Sequence, residues 1–188
     1  MTEREKMTRG LLFNVHDPEL VRFRMDARKI LEKYNKTLST PFEKRTKLLK
    51  RLLGSTGIGF AIEPNFKCDY GFNIHVGDNF YANYDCVFLD VCEIRIGRNG
   101  MIGPQVGLYT STHPVDPVRR INRECFGKPI TIGNNCWIGG HATIIPGVTL
   151  GNNVVVASGS VVTKSFGDNV VIGGNPARIL KGVEREDW

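Results

Sequence analysis

Few side chains in this sequence can do acid–base or metal chemistry near neutral pH. Its 188 residues include four histidines, His16, His75, His113 and His141, and five cysteines. Imidazole titrates close to neutrality, so each histidine is a candidate base, proton shuttle or metal ligand. A zinc site needs several ligands converging on one point, yet the histidines offer no i, i+4 pair, and His75 and His141 fall at different positions of the repeat described below, so no metal is expected. The cysteines form no CxxC pair and no serine stands in a GxSxG context, so no covalent nucleophile is legible. His113 is set apart by its surroundings. It lies in TSTHP, at the mouth of an irregular stretch of about residues 110–129 that contains Pro114, Pro117 and the basic run VRRINRE. Position alone leaves it either a catalytic base or an ordinary loop histidine.

The elements that must hold these groups are legible from a repeat. From Ile132 to Gly167 the chain divides into six-residue units, each opening on an aliphatic residue: Ile132, Ile138, Ile144, Leu150, Val156 and Val162. A period of six fits no helix of about 3.6 residues per turn; it suits short strands joined by tight corners, with one aliphatic residue per unit pointing inward. Gly133, Gly139, Gly151 and Gly159, with Asn134-Asn135 and Asn152-Asn153, supply the backbone angles that such corners require. Cys86 and Cys136 fall at a small inward position and read as inert core thiols. Trp137 falls at an outward one. Strand character begins near Ile62, and Val76, Ala82 and Phe88 mark earlier units. The phase then slips by two residues before Ile96, Ile102 and Leu108, which predicts an outward bulge around Asp90 to Ile94. The break at 110–129 reads as an extruded loop, a usual place for function.

Residues 1–57 read differently. Asp17, Pro18 and Glu19 predict a helix start, followed by Leu20, Phe23, Ala27, Ile30, Leu31 and Tyr34 at helical spacing. Thr40-Pro41-Phe42-Glu43 predicts a second start through a capping box, with an end at Gly54. Two such helices cannot form their own core, so they should pack on the coil. The charged start MTEREKMTRG lacks the apolar run of a secretory signal, no stretch approaches the roughly 18 apolar residues of a membrane span, and odd, unpaired cysteines suit a reducing compartment. A cytoplasmic protein is expected. The formal charge of +6 favours an anionic partner. Much of it lies in KRTKLLKR, which reads as a solvated helix face, and no nucleic-acid motif accompanies it.

Four segments, DYGFNIHVGDNFYANYD, TSTHP, GKPITIGNNCWIGG and GGNPARILK, together with the repeat, resemble the hexapeptide-repeat acyltransferases. Within that family they are most similar to the sugar O-acetyltransferases, the galactoside and maltose enzymes. The resemblance implies a mainly β fold: a left-handed parallel β-helix of triangular section over residues 58–188, three units per coil, with an N-terminal helical pair and an extruded loop. It implies acetyl-CoA as co-substrate, direct transfer to a sugar hydroxyl, and homotrimers with sites between subunits. His113 would be the base, and Asn83 would line the site and orient the acceptor or the developing oxyanion. Glu124, in the same loop, is the carboxylate best placed by sequence to hold the far imidazole nitrogen; it reads otherwise as a surface acid. Asp69 falls at an acceptor position that is serine in the galactoside enzyme. Asp90 lies beside the place of a second acceptor aspartate, here Val91, and Val15 stands at that of a third. These departures lean towards a maltose or glucoside-like acceptor. The donor positions would be Gly140, Ser158, Thr163, Arg178 and Lys181, the last two meeting phosphate charge; Trp137 is either a cofactor-stacking surface or part of an interface. The rival readings are an antibiotic or amino-acid hydroxyl as acceptor, a non-catalytic scaffold, and a zinc hydrolase of the same fold.

Overall fold

The computed structural model of the chain describes residues 1–184. The repeats wind into a left-handed parallel β-helix of about six turns with three walls. The first wall stacks Ser55–Thr56, Ile74–Val76, Ile94–Ile96, Ile130–Ile132 and Thr149–Leu150. The second stacks Ala61–Ile62, Tyr81–Ala82, Met101–Ile102, Trp137–Ile138, Val155–Val156 and Val170–Gly174. The third stacks Lys67–Cys68, Val87–Leu89, Gly107–Tyr109, Thr143–Ile144 and Val161–Val162. Ile132 pairs with Leu150 and Ile138 with Val156, which makes three units one coil. At the end of the second wall Ala177–Gly182 folds back antiparallel on Val170–Gly174.

One aliphatic residue per unit fills the prism: Ile132, Ile138, Ile144, Leu150, Val156 and Val162 are all buried in one continuous core. Cys86 and Cys136 join them, and burial pushes the Cys86 thiol up to about 11 and the Cys136 thiol upward, which leaves both inert. The corners between first and second walls are built on asparagine. Asn79, Asn99, Asn135, Asn153 and Asn169 all have φ between 55° and 59°, a left-handed conformation that asparagine tolerates better than most residues. Their side chains form a ladder, each Nδ2 donating to the Oδ1 of the next coil at 2.7–3.1 Å. The glycines differ from expectation. Only Gly159 of the four named has positive φ; Gly133 and Gly139 are needed because a Cβ would lie 2.5 Å from the Gly151 carbonyl oxygen and 2.6 Å from the Ser158 nitrogen. Close stacking of coils, not backbone twist, excludes a side chain there.

Three helices, not two, precede the coil: α1 (Glu3–Thr8), α2 (Pro18–Asn35) and α3 (Phe42–Leu52). The charged start is α1, capped by a reciprocal Thr2 and Glu5 box. Asp17 caps α2 as expected. The capping box expected for α3 does not form: Pro41 is the N-cap, and no side chain bonds the first turn. Ala27, Leu31, Tyr34, Leu49, Leu52 and Leu53 merge with the coil's core. Polar contacts reinforce this: the Tyr34 hydroxyl donates to the Ile62 carbonyl, and Asn35 Nδ2 to the Phe66 carbonyl at 2.9 Å. KRTKLLKR is not wholly solvated either. Lys44, Lys47, Lys50 and Arg51 are exposed, but Arg45 is buried and grips Glu63 of the coil through two bonds of 2.9 and 3.2 Å.

The third corner, from third wall to first, is where the repeat is interrupted. Cys68 leads to Ile74 through Asp69–Asn73, Leu89 to Ile94 through Asp90–Glu93, and Tyr109 to Ile130 through the long loop. The insertions therefore stack on three successive coils. The short one at Asp90 does not bulge into solvent: Asp90, Val91 and Cys92 are buried. They are covered by Met7, Phe13, Leu20, Tyr70 and Cys125, a second apolar cluster between the N-terminal segment and the coil.

Candidate active site

The loop begins as a hairpin stem, Ser111–Thr112 paired antiparallel with Phe126–Gly127, and carries at its tip a one-turn helix, α4 (Pro117–Ile121). That register sets His113, just past the outgoing strand, across from Glu124 and Cys125. His113 is exposed, and its Nδ1 lies 2.8 Å from the Glu124 backbone carbonyl oxygen. A carbonyl only accepts, so Nδ1 carries the proton and Nε2 presents a free lone pair to solvent. The expected role of the Glu124 side chain is corrected by this geometry. Its carboxylate turns away from the imidazole to accept from Arg119 Nε at 2.8 Å; the main chain holds the ring.

Beneath the loop, the Asp69–Asn73 and Asp90–Glu93 insertions interlock. Asp90 Oδ1 accepts from the backbone N–H groups of Asp69 and Tyr70 at 3.0 and 2.9 Å, and Oδ2 from that of Asn73 at 3.3 Å. Asn73 Nδ2 returns a bond to the Asp90 carbonyl at 2.7 Å. Burial pushes the Asp90 carboxyl up to about 7, against the opposing pull of those amides. Asp90 is fully buried, so it cannot touch an acceptor as expected; it shapes the turn that presents Asp69. Asp69 is partly open, its pKa raised by burial and countered by the charges of Arg24 and Arg28.

Arg24 is a residue that the sequence reading missed. It donates to the Tyr70 hydroxyl at 2.6 Å and to the Val15 carbonyl at 2.5 Å, tying α2 and the N-terminal arm to the interrupted corner. Its signal was present: Arg24 falls three or four residues from Leu20 and Ala27, on the apolar face of α2. The arm itself pairs with the loop, Phe13 N–H donating to the Cys125 carbonyl at 3.1 Å. A cleft of about 410 Å³ opens there, between Phe13, Val15 and His16 on one side and Arg123 and Glu124 on the other.

The remaining site residues lie elsewhere. Asn83 sits at the corner between second and third walls, its Oδ1 accepting from the next backbone N–H at 2.8 Å. Gly140 and Ser158 stack at that same corner on higher coils, joined by a 2.9 Å bond from Gly159 N–H to the Gly140 carbonyl. Arg178 and Lys181 are exposed on the strand that folds back beside them, Arg178 facing Gly173 and Lys181 facing Val171. Trp137 is 52 % exposed on the second wall, in line with Met101 and Val155. Thr163 is exposed across the third wall, at the interrupted corner. Asn83, Gly140 and Ser158 thus gather along one edge of the third wall, with Arg178 near them, and His113, Asp69, Asp90 and Thr163 along the other; Lys181 lies farther along the fold-back strand, beside Val171 of the second wall. Among the described residues no hydrogen bond links the two edges. His75 and His141 are also apart: His75 Nδ1 lies 2.9 Å from Ser55 Oγ on the first wall, and His141 is an exposed corner residue with φ 59°.

Residues 6–57 match the model of the maltose acetyltransferase hexapeptide capping motif, and residues 129–164 that of the hexapeptide repeat of succinyl-transferase. The chain is similar to a maltose O-acetyltransferase from Clostridium difficile 630: TM-score 0.96, 49 % identity, covering 98 % of this chain and 99 % of that one. A galactoside O-acetyltransferase from Escherichia coli K12 is 39 % identical over 97 % of this chain and 90 % of its own length. A hexapeptide-repeat acetyltransferase from Vibrio cholerae O1 biovar eltor, solved with acetyl coenzyme A, superposes with TM-score 0.91 at 35 % identity, covering 98 % of this chain and all (100 %) of that chain.

Proposed function

The chain belongs to the hexapeptide-repeat acetyltransferases, and on that premise we propose that it moves the acetyl group of acetyl-CoA to a sugar hydroxyl, with His113 as general base. The observation that carries the reading is the exposed imidazole whose Nδ1 is committed to the Glu124 carbonyl. Nε2 takes the proton of the acceptor hydroxyl as its oxygen attacks the thioester carbonyl. The C–S bond then breaks, the coenzyme thiolate receives the proton from the imidazolium, and the acceptor leaves as its acetyl ester. Base catalysis of this kind contributes about 10²- to 10⁴-fold.

The acceptor side is assigned to Asp69 and Arg24, with Asp90 as the support beneath Asp69. A carboxylate at Asp69 and an apolar Val15 suit a maltose or glucoside-like acceptor. The donor side is assigned to Gly140 and Ser158 for the pantetheine amides, Arg178 and Lys181 for phosphate, and Thr163 and Trp137 along the arm. Asn83 would polarise the acyl oxygen. His113, Asp69 and Thr163 lie along one edge of the third wall and Asn83, Gly140 and Ser158 along the other, an arrangement that suits a cyclic trimer in which each loop reaches its neighbour's donor edge. Five free cysteines fit work in the reducing cytoplasm.

The test is a panel of glucosides, galactosides, antibiotics and amino alcohols incubated with acetyl-CoA and read by mass shift, for the wild type and His113→Ala. A sugar should gain one acetyl group, and the variant should lose about 10²- to 10⁴-fold in turnover with its fold intact. Acetylation of the antibiotics alone, or undiminished turnover by the variant, would refute the reading.

A further inference from the structure

The turn that offers the Glu124 carbonyl to His113 is stapled twice to one residue. Arg119 Nε donates to Glu124 Oε2 at 2.8 Å, and the Glu124 N–H donates to the Arg119 carbonyl at 3.2 Å. Between them the chain passes through Arg123 with φ 58°. Among the described residues every other non-glycine residue in this conformation sits at a corner of the coil, where stacked neighbours hold it. For a long side chain such a conformation is unfavourable, so the turn depends on its surroundings. Apolar packing holds only its far side, through buried Cys125: on the near side no residue of α4 is buried, and Val115, Val118 and Ile121 are exposed. The helix is secured at its start by Asp116, which accepts from the Arg119 N–H at 2.9 Å. Asp116 therefore anchors Arg119, and Arg119 anchors Glu124.

We propose that Arg119 is a positioning residue for the base: it holds Glu124 by the side chain so that the Glu124 carbonyl stays on His113 Nδ1. The proposal rests on His113 being the base. It gives the Glu124 carboxylate a task one step removed from the imidazole. The pair is a poor candidate for holding the fold as a whole, since its side chains are 48 % and 31 % exposed and such pairs contribute little to global stability. Its effect is local. Once the staple is cut, Nδ1 loses its acceptor, the ring turns, and the two neutral tautomers mix, so Nε2 carries the proton in part of the population.

The experiment compares Arg119→Ala, Arg119→Lys, Glu124→Ala and the double alanine variant with wild type and His113→Ala. Acetyl transfer is followed from acetyl-CoA to the glucoside that the wild type turns over fastest, as a function of the concentration of each substrate. Each alanine variant should lose about 10-fold in kcat, the scale of a small misplacement of a catalytic group, with the KM for acetyl-CoA unchanged. The double variant should be no worse than either single one, and Arg119→Lys should recover part of the loss. Wild-type kcat in Arg119→Ala would overturn the proposal. So would a Glu124→Ala variant as inactive as His113→Ala beside an active Arg119→Ala, because the carboxylate would then act on the imidazole directly. Undiminished turnover by His113→Ala would instead refute the assignment of the base itself.

Discussion

Two kinds of corner run the length of this molecule, and they are built on opposite principles. The corner between first and second walls repeats without interruption, and one asparagine per coil meets its two demands, a left-handed backbone and a partner for each side-chain amide. The corner between third and first walls is broken on three coils in succession, and there the chain buries a carboxyl, threads an arm over the coil and extrudes a hairpin with an exposed imidazole. The first corner supplies rigidity. The second carries the polar groups free to do chemistry, resting on coils that need nothing from it. A prism already filled by its own side chains has no inner pocket, so a site must form on its outer surface, and the base and the acceptor side lie where the repeat is interrupted.

Substitutions can break that contrast at either end. The largest stability effect should come from the regular core: Ile138→Ala removes a fully buried side chain from a closely stacked coil and should cost about 2–5 kcal/mol in denaturant unfolding. Its turnover per folded molecule should stay near wild type. The interrupted corner should respond chiefly to pH. The Asp90 carboxyl is raised from its ordinary 3.8 to about 7 in the folded protein, which therefore binds the proton more tightly than the unfolded chain. Its contribution to stability is fully present below about pH 4 and is lost as pH rises to about 7, at about 1.4 kcal/mol per unit. Denaturant titrations across that range should show the decline, and Asp90→Asn should flatten it. The smallest effect belongs to the ladder: Asn135→Ala removes two side-chain bonds and puts a residue with a Cβ at φ 56° that alanine tolerates less well, for about 1–2 kcal/mol. A larger loss there would mean that the regular corner is less redundant than its five rungs imply.

The same contrast governs what could be read from the sequence. Ile132 to Gly167 announced the coil because an inward aliphatic residue at fixed spacing leaves a periodic trace. The interruption at Asp69–Asn73 escaped notice, although Cys68 to Val76 shows the same two-residue slip as Phe88 to Ile96. Asp90 read as surface because a charged residue usually is; its burial depends on α1 and the arm folding over it, contacts far apart in sequence. Helix α1 was legible from Thr2 and Glu5, a capping-box spacing in a short polar stretch without apolar periodicity. The His113 partner was not legible at all. A backbone carbonyl belongs to every residue, so only the hairpin register selects the one at Glu124, and the acidic side chain beside it pointed to the wrong atom.

The account turns on which imidazole nitrogen of His113 is free. Nitrogen NMR of histidine-labelled protein with the ring neutral, His113 being assigned by its absence in His113→Ala, reads this directly. The tautomer protonated on Nδ1, coupled across a hydrogen bond to the Glu124 carbonyl, is the result expected. A ring protonated on Nε2, with Nδ1 bare, would contradict it, since no lone pair would then face the acceptor hydroxyl.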